Sequence, residues 1–394
     1  MAEQNNEFIW GDKWSIEKSE GWFVAGNVNI LFCVDLESNY YQIVEKIPDG
    51  KKGFRLNSNC IKCEDVVFCM PDTGEYIWCY DLSVSMFSKI EIINPKYVRL
   101  GIGDFWKCGE VLWAVSSGLK QIIEINIKER TVIGYYNISE QEKEEIGQSI
   151  ISGEIIYIVS ALGNRIFEFN TVSKEIKVNE VSSITGGLRT ITEYDGRFWL
   201  SGYKKEIYVW EKEKDKIKIL DNFPHGFGIY DFDKKLGPLL DCEATEYNDF
   251  TFLTSMLVGD YIWFIPFRTN QILFVNKKTN EINVFEIEEE KEDRNSISSR
   301  ELIGKYILQY VYEGRYIGLY SIKNEIILEI DVKNLDIKKR SIILSDKNLN
   351  KLFPDIVLRE SISPERTLYY KLMKKKMRRK AKQENVGMRV YTHM

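Results

Sequence analysis

Gly109-Glu110-Val111-Leu112-Trp113-Ala114-Val115 is followed by Gln121-Ile122-Ile123-Glu124-Ile125-Asn126-Ile127 and then by Thr131-Val132-Ile133-Gly134-Tyr135-Tyr136. These three runs decide the fold. Each is too short for a buried helix and rich in branched or aromatic residues, the signature of a strand with both faces covered. A glycine precedes the first run, where a tight hairpin needs a positive φ. A short polar stretch separates the first run from the second. The second ends at Asn126, a side chain that bonds its own turn.

Read outward, the same pair of strands returns seven times. The first members are Gly21 to Ala25, Asp65 to Cys69, Val111 to Val115, Ile155 to Val159, Arg197 to Leu200, Tyr261 to Ile265 and Arg315 to Leu319. Glycines 109, 153, 196, 259 and 314 sit just upstream of five of them, and the first carries Gly21 at its start. The partners end at Asp35, Asp81, Asn126, Asn170, Glu211, Asn276 and Asp331, which lie 46, 45, 44, 41, 65 and 55 residues apart. A further strand follows in several units, as at Lys216 to Leu220 and Asn283 to Ile287. Four strands of five or six residues with their turns fill about that interval. The expected fold is therefore all-β: a seven-bladed β-propeller of four-stranded antiparallel blades, closed into a ring with no long exposed edge. A β-sandwich accounts for the strands but not for one strand pair repeated seven times.

The repeat resembles the kelch-like and surface-layer-like bacterial propellers, over roughly Trp14 to Leu344. It lacks the Gly-His and Trp-Asp landmarks of WD repeats, the Gly-Gly doublet of kelch repeats and the Ser-x-Asp-x-Gly-x-Thr-Trp box of sialidase-type propellers. No named family is matched, and the resemblance implies a fold and little more. The propeller is expected over 1–358 and a basic helical tail over 359–394. Ring closure stays open between a strand near Phe8 to Trp10 and the segment Ser341 to Leu344.

Composition bounds the function. The chain has 394 residues, 44% hydrophobic and 13% aromatic, with a net charge of −5. Nine Lys or Arg and no acid lie between Arg366 and Lys382, so an acidic body of net −14 carries a basic tail. No run approaches the roughly 18 apolar residues of a membrane span, and Met1 to Trp14 reads as polar rather than as a secretory leader. Seven cysteines in apolar contexts suit a reducing cytoplasm. The Ile-, Lys-, Asn- and Glu-rich composition is of the kind a low-GC bacterium produces.

Functional candidates fall on the face that carries the inter-blade loops. Two intervals are long, about 221–248 and about 286–301. The loops between second and third strands face the same side and carry Lys120, Arg165, Lys204 with Lys205, Arg268 and Lys323. Innermost strands begin near Arg55, Arg99 and Arg189, and Arg189 is placed to face the channel mouth with the other two. Basic residues gathered on one face of an acidic body focus an anion, and Arg suits a carboxylate or phosphate. The first insertion holds Asn222-Phe223-Pro224-His225-Gly226-Phe227-Gly228, then Asp231, Asp233, Asp241, Cys242 and Glu243. Those four acids are the candidate acid and base groups of an alternative enzyme acting on a carbohydrate or other small molecule, with Arg165, Arg189 and Arg268 as its clamp. The simpler reading is a loop capping the channel.

Cofactors are not expected. Cys60-x-x-Cys63 with Cys69 and Cys79 lacks a second Cys-x-x-Cys pair, and two of these thiols fall inside apolar strands, which argues against zinc. Two histidines in the whole chain leave little for a His-based metal or lyase site. Gly101-Ile102-Gly103-Asp104 lacks the third glycine and the helix of a nucleotide loop. In the tail, Ser363-Pro364-Glu365 reads as a helix start. Leu368, Tyr369, Leu372, Met373 and Met377 then form one face, and Lys371, Lys374, Lys375, Arg378, Arg379 and Lys382 surround it. Such a helix contacts an anionic membrane surface or a partner's groove, while the acidic body repels nucleic acid. The sequence thus points away from an enzyme and toward a binding or scaffolding module that takes an anionic or glycan-like ligand, or a protein partner.

Overall fold

The computed structural model describes residues 7–8, 11–26, 28–48, 56–94, 99–141, 143–184, 186–224, 227, 251–266, 269–288, 306–322 and 324–344. They form seven four-stranded antiparallel sheets, each built in chain order, and one separate two-stranded pair. The blades span 15–46, 57–91, 102–137, 146–180, 188–220, 252–286 and 306–340. In blade 3 the strands are Ile102–Cys108, Val111–Ser116, Gln121–Asn126 and Thr131–Asn137, from the channel outward. The chain is a seven-bladed β-propeller.

Burial explains why two strands per blade were so legible. The second and third strands lie between neighbouring blades on both faces, so Val111–Ser116 and Gln121–Asn126 bury all but their ends. The outermost strand Met86–Glu91 mixes exposed and covered residues instead. The core is divided into seven hydrophobic clusters, one at each blade-to-blade interface. Trp22, Val24, Val67 and Cys69 join blades 1 and 2, and Trp113, Ile122, Ile156 and Phe167 join blades 3 and 4. Trp263, Ile272, Tyr306 and Leu319 join blades 6 and 7.

The polar residue that closes each third strand does what its chemistry predicts. The side-chain Oδ1 of Asp35, Asp81, Asn126, Asn170, Asn276 and Asp331 accepts from a backbone N–H two or three residues on, at 2.8 to 3.0 Å. In blade 5 Glu211 is one methylene longer, and a short 3-10 turn, Lys212–Lys214, replaces that bond. The last turn residue is left-handed in all seven blades, from Asn39 (φ 58°) to Leu335 (φ 64°). The upstream glycine supplies the first hairpin's positive φ in blade 3, where Gly109 has φ 61°. In blade 1 Lys18, not Gly21, takes that conformation (φ 56°). Gly21 serves packing: a Cβ there would meet Ile16, Val34 and Trp14 at 3.0 to 3.3 Å.

Ring closure uses both candidate segments, yet among the described residues neither adds a strand to a blade. Glu7–Phe8 pairs with Ile343–Leu344 in the separate ribbon. The seam itself is sealed by side chains. Trp14 stacks on Phe23 with centroids 4.3 Å apart and tilts against Tyr310 at 5.0 Å. The Gly11 N–H and the Trp14 indole both donate to Gln309 Oε1, at 3.2 and 3.1 Å. Among the described residues no helix is long and apolar enough to cross a membrane. The two insertions lie largely outside the described residues, as do the boundary at 358 and the tail with Lys371, Lys374, Lys375, Arg378 and Arg379.

Candidate functional site

The innermost strands line the central channel with polar residues, tied to one another across blades. Lys13 makes an isolated parallel bridge with Asn59, and its Nζ reaches Asp104 of blade 3 at 3.1 Å. The other Asp104 oxygen accepts from the N–H and hydroxyl of Ser149 in blade 4, both at 2.8 Å. Gln148 of blade 4 exchanges bonds with the backbone of Ser255 in blade 6, 2.8 and 3.0 Å, and also accepts from Ile191 N–H in blade 5. Thr192 and Ser255 share a hydroxyl bond at 2.7 Å. The Lys13–Asp104 and Gln148–Ser255 ties each reach past a blade and the others join neighbours, so these polar groups are spent on holding the ring. Their sequence signal was present but weak: polar residues at one repeated place in the innermost strand.

At the mouth on the insert-bearing face the basic candidates occupy different settings. Lys120, Arg165 and Lys204 fall in the second-to-third turns of blades 3, 4 and 5, or at their exit. Arg165 is ion-paired with Glu144, whose side chain is fully buried and also accepts from the Ser160 hydroxyl at 2.6 Å. Arg99 is likewise paired with the buried Asp72 of blade 2. The Lys120 carbonyl accepts from Ile138 N–H at 2.9 Å, and the Lys204 carbonyl accepts from the Thr251 hydroxyl at 2.8 Å. Lys205 bonds the Phe227 carbonyl. Arg189, second residue of Leu188–Tyr194, is half-buried in the channel wall. Burial pushes its guanidinium below the ordinary value, and Asp104, the Tyr203 phenol and Glu145 push it back up. Burial, then Glu145, raises the Tyr203 phenol. Arg55, Arg268, Lys323, His225, Asp231, Asp233, Asp241, Cys242 and Glu243 lie outside the described residues.

The opposite face carries a feature that went unread in the sequence. The first hairpin of every blade bears an exposed carboxylate, among them Glu64, Glu110, Glu154, Asp195, Asp260 and Glu313. Lysines answer three of these hairpins: Lys62 meets Glu17 at 2.7 Å, Lys107 meets Glu64 at 3.0 Å and Lys277 meets Asp260 at 3.1 Å. Its sequence signal is an acid at or beside the positive-φ residue of each first hairpin.

The cysteines of blade 2 do not gather. A spacing of three along a strand puts Cys60 and Cys63 on opposite faces. Cys60 and Cys69 pack toward blade 1, Cys63 and Cys79 toward blade 3. Burial pushes the thiols of Cys60 and Cys79 up to about 12 and that of Cys63 to about 11, which makes them poor nucleophiles. Among the described residues no group of three or more His, Cys, Asp or Glu is arranged to hold a metal ion.

Among the described residues, the carboxylates with displaced pKa values all move the same way. Lys62 lowers Glu17, backbone N–H groups of Glu37 and Ser38 lower Asp35, and the Ser83 hydroxyl with Arg130 lowers Asp81. Lys214 lowers Glu211 and Arg315 lowers Asp331. A general acid at neutral pH needs the opposite shift.

No protein-family model matches the chain, and no curated protein matches its sequence. Solved structures match its shape. PorZ, an essential surface component of the type-IX secretion system of Porphyromonas gingivalis, superposes with a TM-score of 0.53 at 9% identity, over 86% of this chain and 39% of PorZ. BamB from Moraxella catarrhalis gives 0.51 at 10% identity, over 80% and 82% of the two chains. A chain of the mitotic checkpoint complex gives 0.51 at 10% identity, over 87% and 94%. At such identities the likeness carries the fold alone, and this chain spans about two fifths of PorZ.

Proposed function

We propose that the chain is a non-catalytic binding and scaffolding module that takes a protein partner on the face carrying its inter-blade connections. The observation that carries this reading is the state of that face's arginines. Arg99 and Arg165, which a small-anion clamp needs free, are engaged by Asp72 and Glu144. An arginine already neutralised by a buried carboxylate is poorly placed to clamp a small anion, whereas a protein interface needs no converging set of charges. The structural neighbours include a secretion-system component and a chain of a multiprotein complex, which is in keeping with a protein partner. The unpaired, mostly buried cysteines of the described residues are in keeping with a reducing cytoplasm. The basic tail, from Lys371 to Arg379, then serves as a second contact with a membrane surface or partner.

One observation favours a second reading, an anionic or glycan-like ligand at the channel mouth: the half-buried guanidinium of Arg189 beside Tyr203. Two experiments separate the readings. Thermal shifts are measured with sugar phosphates, nucleotide sugars and acidic oligosaccharides on wild type and Arg189→Ala. Capture of binding proteins is then compared for wild type, Lys204→Glu and Glu110→Lys. The scaffold reading expects a defined partner lost on Lys204→Glu and kept on Glu110→Lys. The reverse pattern moves the interface to the acidic face, and turnover of any panel compound overturns the non-catalytic reading. A ligand at a hundred times its Kd adds about 2.7 kcal/mol, so a shift that vanishes in Arg189→Ala decides for the small-molecule site.

A further inference from the structure

We draw no further inference here: the strongest candidate, the ring of exposed carboxylates that the first hairpin turns set round the channel mouth opposite the inter-blade connections, is an acidic cluster partly neutralised by Lys62, Lys107 and Lys277, and nothing in the structure points to a ligand for it.

Discussion

Arg165 shows how a residue type can be read correctly and its setting missed. The sequence places a cation in an exposed turn. The structure gives it a fully buried partner, Glu144, contributed by the connection into the same blade. Nothing in the local pattern around Glu144 marks it as buried, because its burial comes from the turn that folds over it. Removing one member of such a pair strands a charge. Arg165→Ala is expected to cost about 3–5 kcal/mol in urea unfolding, and the paired change Arg165→Met with Glu144→Leu to recover most of it. An equal loss in both variants refutes the pairing as the source. Asp331 offers a pH test. Arg315 and the Lys333 N–H hold its carboxyl below the ordinary value. A lowered folded pKa stabilises above the unfolded value near 3.9, and that gain is lost as pH falls through the folded value. The stability gap between wild type and Asp331→Asn should thus stay constant above about pH 5 and close in stronger acid. A gap that grows on acidification contradicts the assignment.

Within the blade, the two middle strands and their polar ends were legible because neighbouring blades cover both faces, leaving near-continuous apolar runs. The innermost strand was legible only by its start, near Arg55, Arg99 and Arg189, since it alternates between core and a polar channel: Asn57–Cys63 and Ile146–Ser152 carry amides and hydroxyls among their apolar residues. The third-strand ends allow a repeat-level prediction. Asn276 accepts from the N–H groups of Lys278 and Thr279 at 2.9 and 3.1 Å, as Asp35 does from Glu37 and Ser38 at 2.8 and 3.3 Å. Asn276→Ala is expected to lower stability by about 1 kcal/mol, because the freed N–H groups are exposed and turn to water. Asn276→Asp should be near neutral, since blades 1, 2 and 7 already use Asp there. A destabilisation by Asp as large as that by Ala would show that the side-chain oxygen does not hold the turn.

Across the whole ring, no shared strand among the described residues laces the last blade to the first, so the seam between them depends on packing, a few buried polar bonds and the terminal ribbon. Blades 3, 4 and 5 are stapled differently. Lys174 bonds Glu124 of blade 3 and lies 4.2 Å from the Trp113 ring centroid, and Lys212 bonds Glu168 of blade 4. Those staples use residues close in sequence order, whereas Gly11, Trp14 and Gln309 meet only because the ring closes. Such a contact leaves no periodic trace, which is why closure could not be read from the repeat. Gln309 is fully buried, and its single oxygen serves two donors, the Gly11 N–H and the Trp14 indole. Gln309→Leu keeps the shape and removes the acceptor from both. Each stranded donor costs about 1–3 kcal/mol, so the variant is expected to lose about 2–4 kcal/mol after partial relaxation. Local opening at the seam should also precede global unfolding, with faster amide exchange at Trp14 N–H, which donates to the Gln309 carbonyl at 2.8 Å, than at Val115 in blade 3. A loss below about 1 kcal/mol, with exchange unchanged at Trp14, would mean that the Gln309 bonds add little and that aromatic packing and the Glu7–Phe8/Ile343–Leu344 ribbon close the ring.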